Sequence, residues 1–187
     1  DSSVVNDDDL LMTLEKEIGD KGWKVRSAAY QKLINQLLRE DCSSVDFVHL
    51  LPRIAEEASP LAQDSGLHAL STFFDAAFPR DDPQLLKEWE LVAEEVSVAL
   101  IGSTMGTVEK TYQRGESLFL TICEHSGCEH VVNALIAGVD NRRMKIPPSC
   151  LKLLRVILFN FGTREVPVNL IIEKLLNPAA KCALDSA

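Results

Sequence analysis

The sequence predicts an all-α protein, an α-solenoid built from HEAT-like helical hairpins. Two observations predict this fold class. Apolar residues recur at spacings of three and four almost throughout the 187 residues, and strand-like alternation is nearly absent. Similar pairs of helices then recur at intervals of 37, 49 and 35 residues, measured between Val25, Ala62, Thr111 and Ile146. Periods in this range, with one helical hairpin per period, are typical of HEAT and armadillo repeats.

The apolar pattern divides the chain into about nine helices and the start of a tenth. The first stripe contains Leu11, Leu14 and Ile18 and stops at Gly19, and the second stripe begins at Val25. A third helix contains Pro52, where we expect a bend or a restart, because proline interrupts helical hydrogen bonding. The third and later helices are predicted over 45–58, 61–74, 84–102, 108–122, 129–139, 150–162 and 168–176.

The second helix of each hairpin carries one pattern. A small residue lies four positions after the start of the helix, and a bulky apolar residue lies four positions further on. The small residues are Ala29, Gly66, Gly115 and Cys150, and the bulky residues are Leu33, Leu70, Phe119 and Leu154. A small side chain lets two helices approach closely where they cross, so we expect all four small residues at helix crossings. The alternative is an irregular helical bundle in which this spacing is accidental.

Composition excludes several classes of protein. A net charge of −9 argues against nucleic acid as a general partner, because phosphate binding needs a basic surface. The longest apolar runs fall short of the roughly 18 residues that span a membrane. Five scattered cysteines are typical of reduced thiols in the cytoplasm. The polar, acidic start lacks a methionine, so we expect a fragment of a longer protein, with residues 1–7 flexible.

Trp23 lies where the second helix is about to start, between Gly22 and Lys24. In a solenoid of hairpins, the turns inside the hairpins are expected to line up along one edge. Nine of the nineteen basic residues lie at or beside these turns, whereas the acidic residues, Glu56 and Glu57 among them, are predicted to concentrate elsewhere. The nine are Lys21, Lys24, Arg26, Lys110, Arg114, Arg142, Arg143, Lys145 and Lys181.

An aromatic residue beside a row of cations is typical of a protein-recognition surface. The aromatic side chain can fill a pocket of the partner, and the cations can steer and orient an acidic partner. The alternative is that Trp23 only closes the open end of the solenoid core, and that the charges form a solvated face.

Two segments carry the resemblance to a known family, namely GWKVRSAAYQKL at the first turn and GVDNRRMKIPPSCLKLLRVILFNFG at the fourth. The chain resembles a TOG domain, the tubulin-binding module of the microtubule polymerase family and of the related CLASP proteins, and is most similar to a first TOG domain. The resemblance covers about residues 8–184. It implies a flat paddle of HEAT repeats whose intra-repeat turns bind the curved αβ-tubulin heterodimer.

The resemblance also implies which residues contact tubulin. Trp23 matches a tryptophan that inserts against β-tubulin, and Lys24 or Arg26 matches a basic residue of the same turn. The remaining matches are Ser59 and Pro60 in the second turn, Lys110 in the third, Asn141, Arg142, Arg143 and Lys145 in the fourth, and Lys181 in the fifth. The chain departs from the family pattern after about residue 166, where the fifth repeat is only partial, and Lys181 is therefore a weak match.

Other kinds of site find less support. The segment CEHSGCEH offers Cys123, His125, Cys128 and His130, but it spans a helix end and a new helix start. We therefore interpret it as a connection between helices and not as a zinc site. No nucleophile–base arrangement or phosphate-binding glycine loop is visible, so we expect neither an enzyme nor a cofactor.

The sequence thus predicts a monomeric, non-catalytic domain over residues 1–187 that binds αβ-tubulin and contributes to microtubule assembly and dynamics. Its expected location is the cytoplasm and the microtubule cytoskeleton, including the spindle and centrosome. The alternatives are a HEAT-type scaffold for a different protein partner and a purely structural repeat segment.

Overall fold

The computed structural model describes residues 7–39, 42–80 and 82–178. Within these ranges the chain is helical and has no β-strand. The α-helices are α1 (Asp7–Ile18), α2 (Trp23–Leu37), α3 (Leu51–Ala55), α4 (Pro60–Ala77), α5 (Pro83–Thr104), α6 (Glu109–Ser126), α7 (Glu129–Val139), α8 (Ile146–Glu165) and α9 (Val168–Ile171). Short 3₁₀ segments cover Ser44–Leu50 and Phe78–Arg80, and a π-helical turn covers Ile172–Leu176.

Nine helices are confirmed within the described residues, with informative differences at their boundaries, whereas the predicted start of a tenth helix lies outside the described residues. The restart predicted at Pro52 occurs one residue earlier, because proline occupies the first turn of α3, where its missing N–H costs nothing. The fifth helix continues past Gly102 to Thr104, so the third turn is shorter than the sequence suggests. Gly162 interrupts α8 with a φ of 70°, which fits the predicted helix end at this glycine.

The chain divides into two compact units, unit 1 (Asp1–Ser103) and unit 2 (Thr104–Ala187). In unit 1, α2 packs against α1 and α4, and α3 packs against α4. An aromatic cluster at the end of α4 joins this layer to α5, with the rings of Phe74 and Trp89 5.0 Å apart and perpendicular. The prediction of a single domain over residues 1–187 stays a prediction, and its flexible segment 1–7 lies outside the described residues apart from Asp7.

In unit 2, α7 packs against α6 and α8. Gly115 on α6 lies directly against the end of α5, because a Cβ added at Gly115 would come within 2.6 Å of the Thr104 side chain. All four predicted crossing residues are buried: Ala29, Gly66, Gly115 and Cys150. The small-residue pattern therefore reports helix packing, as the sequence predicts. None of the described helices is long and apolar enough to cross a membrane.

We expect Gly115→Ala to lower the free energy of unfolding by about 1–3 kcal/mol, because the added methyl group overlaps the fully buried Thr104. The matched control is Gly102→Ala, since a Cβ at Gly102 meets no atom within 4 Å. The control should leave stability unchanged or raise it slightly, because alanine favours a helix. Urea unfolding followed by circular dichroism measures both. Equal effects of the two substitutions would contradict the packing assigned to Gly115.

Candidate functional site

The predicted site residues with described positions lie in four turns inside the helical hairpins or in the first turn of the helix that follows each of them. We call the four turns turn 1 (19–22), turn 2 (56–59), turn 3 (105–108) and turn 4 (140–145). Turns 1 and 2 belong to unit 1, and turns 3 and 4 belong to unit 2. The predicted alignment of all the turns along a single edge stays a prediction, and Lys181 lies outside the described residues.

Trp23 is the first residue of α2 and follows turn 1 directly, with Gly22 as the extended N-cap residue. Its side chain is 37% exposed, whereas Trp89, the other tryptophan, is completely buried in unit 1. The Lys24 ammonium lies 5.7 Å from the centre of the Trp23 ring, within the range of a cation–π contact. The two tryptophans thus differ in role: Trp89 is part of the core, and Trp23 is partly exposed beside a positive charge.

A part-buried ion pair fastens turn 1 to turn 2. Arg26 donates from Nε and Nη2 to the two carboxylate oxygens of Glu57, at 2.7 and 2.8 Å. Its remaining nitrogen, Nη1, donates to the backbone oxygens of Asp20 and Lys21 in turn 1. Arg26 is thus a structural clamp within unit 1, and the prediction that it also contacts a partner stays a prediction.

Glu57 corrects the prediction that the acidic residues lie away from the turns. Its side chain is buried in turn 2, where it also accepts hydrogen bonds from the Tyr30 hydroxyl and the Ser59 amide, each at 2.8 Å. Its neighbour Glu56 is exposed. Nothing local in the sequence separates these two glutamates, because the distinction depends on Arg26, which is 31 residues away in the chain.

The network shifts the protonation equilibria of its members in a consistent way. Burial by itself would raise the pKa of Glu57, but the hydrogen bonds from Arg26, the Ser59 amide and Tyr30 outweigh burial and hold that pKa below its usual 4.5. The hydrogen bond to Glu57 raises the pKa of Arg26, and burial together with Glu57 raises the pKa of Tyr30. At neutral pH the cluster is therefore a carboxylate, a guanidinium and a neutral phenol.

Because the folded-state pKa of Glu57 lies below the unfolded value, its stabilising contribution is complete above about pH 4.5 and is lost as the pH falls through the folded value. We expect the free energy of unfolding to fall between pH 5 and pH 3 (the usual carboxylate range). The Glu57→Gln variant should lose less stability over the same range. Urea unfolding at each pH measures the difference, and parallel curves for the two proteins would contradict the assignment.

Turn 2 leads into α4 through two of the predicted site residues. Ser59 is the half-buried N-cap residue of α4, and its amide is held by Glu57. Pro60, the first helical residue, is exposed, as is Leu61 after it. The clamp therefore fixes the position of turn 2 while leaving an apolar side chain at its surface.

Turns 3 and 4 touch each other within unit 2. Gly106 in turn 3 has a φ of 72°, and a Cβ added there would lie 2.9 Å from the Cβ of Lys145 in turn 4. Only glycine fits this approach without strain. Lys110, in the first turn of α6, is exposed, so unit 2 presents basic residues from two adjoining segments.

Turn 4 is shaped by its own side chains. The Asn141 carboxamide oxygen accepts a hydrogen bond from the Arg143 amide at 2.9 Å, an Asx-turn that directs the chain toward α8. Arg142, Arg143 and Lys145 are all exposed. Met144 lies among them and is 90% exposed, and Val108 in turn 3 is also exposed. Sequence reasoning missed both apolar residues, since spacing alone does not distinguish an exposed methionine or valine from a buried one.

The segment with four potential metal ligands forms the expected helix connection. α6 ends at Ser126, Gly127 has a φ of 82°, and Cys128 is the N-cap residue of α7. Burial raises the pKa of the Cys123 thiol and that of the Cys128 thiol, which disfavours the thiolate that would bind a metal. Among the residues with described positions, no three His, Cys, Asp or Glu side chains converge to hold a metal ion.

Fold and turns together define a class of protein: a helical-repeat binding module with exposed apolar and basic residues at its hairpin turns. Its sequence matches the family described as "XMAP215/Dis1/CLASP, TOG domain" over residues 8–186, and the chain belongs to that family. TOG domains are non-catalytic modules for tubulin- and microtubule-related binding.

One curated relative is Centrosomal protein 224 of Dictyostelium discoideum, which is 29% identical over 166 residues. The alignment covers 87% of this chain and 8% of that protein, so the chain corresponds to a small part of its relative. No solved structure matches the chain significantly.

Proposed function

We propose that this TOG domain binds the αβ-tubulin heterodimer, without catalysis, through the turns of its helical hairpins. The observation that carries the proposal is Trp23, an exposed indole beside Lys24 at a turn that the Arg26–Glu57 ion pair holds in place. A rigid aromatic side chain can fill a pocket of a partner at low entropic cost, and fixing its helix in advance lowers that cost further.

The basic residues of turn 4 support the same partner. Arg142, Arg143 and Lys145 are exposed in a chain with a net charge of −9. Turn 4 is therefore a local patch of positive charge on a negatively charged chain. Such a patch favours an acidic protein surface and speeds its encounter with the domain. The exposed Met144 between them adds an apolar contact that a purely electrostatic surface would lack.

Membership of the TOG family and similarity to a centrosomal protein support a role for the domain at the microtubule cytoskeleton. We propose that the domain acts in microtubule assembly and dynamics at the cytoskeleton, including the spindle and centrosome, as one module of a longer protein. There it would add its affinity to that of other tubulin-binding segments by raising their effective concentration. We also propose that the domain is most similar to a first TOG domain and that it is a monomer in isolation.

We expect the chain to co-elute with soluble αβ-tubulin in size-exclusion chromatography at low salt. The variant Arg142→Glu, Arg143→Glu, Lys145→Glu should bind about tenfold more weakly and with less salt dependence, because it removes the charges that face an acidic partner. The matched control, Arg155→Glu, Arg164→Glu, Lys174→Glu, reverses three exposed charges of unit 2 outside turn 4. A parent chain that leaves tubulin unshifted, or equal losses in both variants, would favour a scaffold for another partner.

A further inference from the structure

In addition to its turns, unit 1 contains a groove along α5 with a volume of about 440 Å³. Three carboxylates and three apolar side chains line it: Glu56, Glu94, Glu95, Leu91, Val98 and Ala99. None of the predicted tubulin-contacting residues is among them. Glu56 belongs to turn 2, whereas the other five residues lie on α5, so most of the groove lies outside the turns.

The α5 residues of the groove form one continuous face of the helix. Leu91 and Val98 follow at positions i and i+7, which a helix brings to the same side, and Gly102 at i+11 continues this side beyond the groove. Leu91 is 73% exposed and Val98 is 50% exposed. Gly102 has open space beyond its Cα, so another helix could approach the backbone closely there. An apolar stripe of this kind matches the apolar face of a partner helix.

The net charge around the stripe is negative, and the exposed Lys87, one helical turn before Leu91, is its nearest cation along α5. Residues 88–104 contain four glutamates and neither lysine nor arginine, and Glu56 adds a carboxylate from the end of α3. An acidic partner or an anionic lipid surface would be repelled here. A symmetric contact between two copies would bring like charges together. Charge complementarity therefore favours a basic partner.

The walls of the groove are held in place before any partner arrives. The Ser103 hydroxyl near the end of α5 donates to the backbone oxygen of Ala55 at the end of α3, at 2.7 Å. Gln63 on α4 donates to the backbone oxygen of Ser103 at 2.6 Å, so three helices are tied at this corner. A preformed groove loses little conformational entropy on binding.

We propose that the groove on α5 docks a basic amphipathic helix of another protein. Leu91 and Val98 contact its apolar face, and Glu56, Glu94 and Glu95 pair with its lysines or arginines. Leu91 and Val98 are about 10 Å apart along the helix axis, which suits a partner segment of two to three turns.

The test uses a fluorescein-labelled helical peptide of leucine and lysine, about 18 residues long, with its leucines on one face. Fluorescence anisotropy should show that the chain binds this peptide more tightly than a scrambled peptide of the same composition. The variant Leu91→Lys should bind at least about tenfold more weakly, and Glu94→Gln with Glu95→Gln should reduce both affinity and salt sensitivity. The matched control is Leu38→Lys, because Leu38 is 68% exposed at the end of α2.

Equal binding of the ordered and the scrambled peptide would overturn the proposal and leave only attraction to net charge. Equal effects of Leu91→Lys and Leu38→Lys would overturn it as well. A dimer in sedimentation experiments that Leu91→Lys abolishes would instead assign the groove to a second copy of the chain. Tubulin co-elution of Leu91→Lys should match that of the parent chain. Failure of the groove proposal can therefore be distinguished from failure of the tubulin proposal.

Discussion

Replacing Trp23 with glutamate is expected to weaken binding of αβ-tubulin by about 30-fold or more. An aromatic anchor that is buried in a partner contributes roughly 2 kcal/mol or more, and each 1.4 kcal/mol corresponds to a factor of ten in the dissociation constant. The new carboxylate would also face an acidic partner. Trp23 is 37% exposed at the first position of α2, and circular dichroism of the variant should show the helical content of the parent chain. Anisotropy of the labelled chain, titrated with tubulin, measures the change.

The control for this prediction is Phe159→Glu. Phe159 is an aromatic residue on α8 that is also exposed, and it lies outside the four turns. The same chemical change there should leave tubulin affinity within about twofold of the parent value, as expected for a side chain away from the contact. If both variants bind like the parent, or if both fail, Trp23 is not the anchor.

Replacing Glu57 with alanine is expected to lower the free energy of unfolding by about 3–5 kcal/mol. The change would leave the Arg26 guanidinium without its carboxylate and the Tyr30 hydroxyl without its acceptor, in a part-buried site. Glu56→Ala is the matched control: it removes the same side chain one residue earlier, where the glutamate is exposed, and should change stability by less than about 0.5 kcal/mol.

A double-mutant cycle assigns the effect to the pair. If Arg26 and Glu57 act together, the variant with both replaced by alanine should be less destabilised than the sum of the two single variants. Urea unfolding followed by circular dichroism gives all four stabilities. Additive losses, or a Glu57→Ala variant as stable as Glu56→Ala, would show that the two turns are held together by other contacts.

Local patterns in the sequence predict the helices and their crossings well. The helical period places Ala29 and Cys150 on buried faces, and both are completely buried. Gly115 lies against Thr104 as a close crossing requires. These features depend on residues three, four or eight positions apart, which a helix brings together regardless of the rest of the fold. The family resemblance rests on the same local segments, and the family match confirms it.

Contacts between distant segments are what the sequence does not predict. Arg26 is expected from the sequence to face a partner, yet its guanidinium binds Glu57 from the next hairpin. The close approach of Gly106 to Lys145 likewise joins two turns that are almost forty residues apart. The exposure of a side chain also depends on the path of the folded chain and not on residue type alone. Met144 is apolar, yet the path of turn 4 leaves it exposed.

The basic turns and the acidic groove on α5 suit partners of opposite charge. Turn 4 offers cations and the apolar side chain of Met144, and the groove on α5 offers carboxylates around an apolar stripe. Partners of opposite charge would be sorted between these surfaces by electrostatics.

The most direct test of the central claim is photo-crosslinking from position 23. The substitution Trp23→p-benzoylphenylalanine puts a light-activated group where the indole lies, and Phe159→p-benzoylphenylalanine provides the matched exposed position on α8. If turn 1 binds tubulin, irradiation of the complex should link position 23 to tubulin, on the β subunit, and give no product from position 159. Absence of a tubulin product from position 23, or equal products from both positions, would contradict the account.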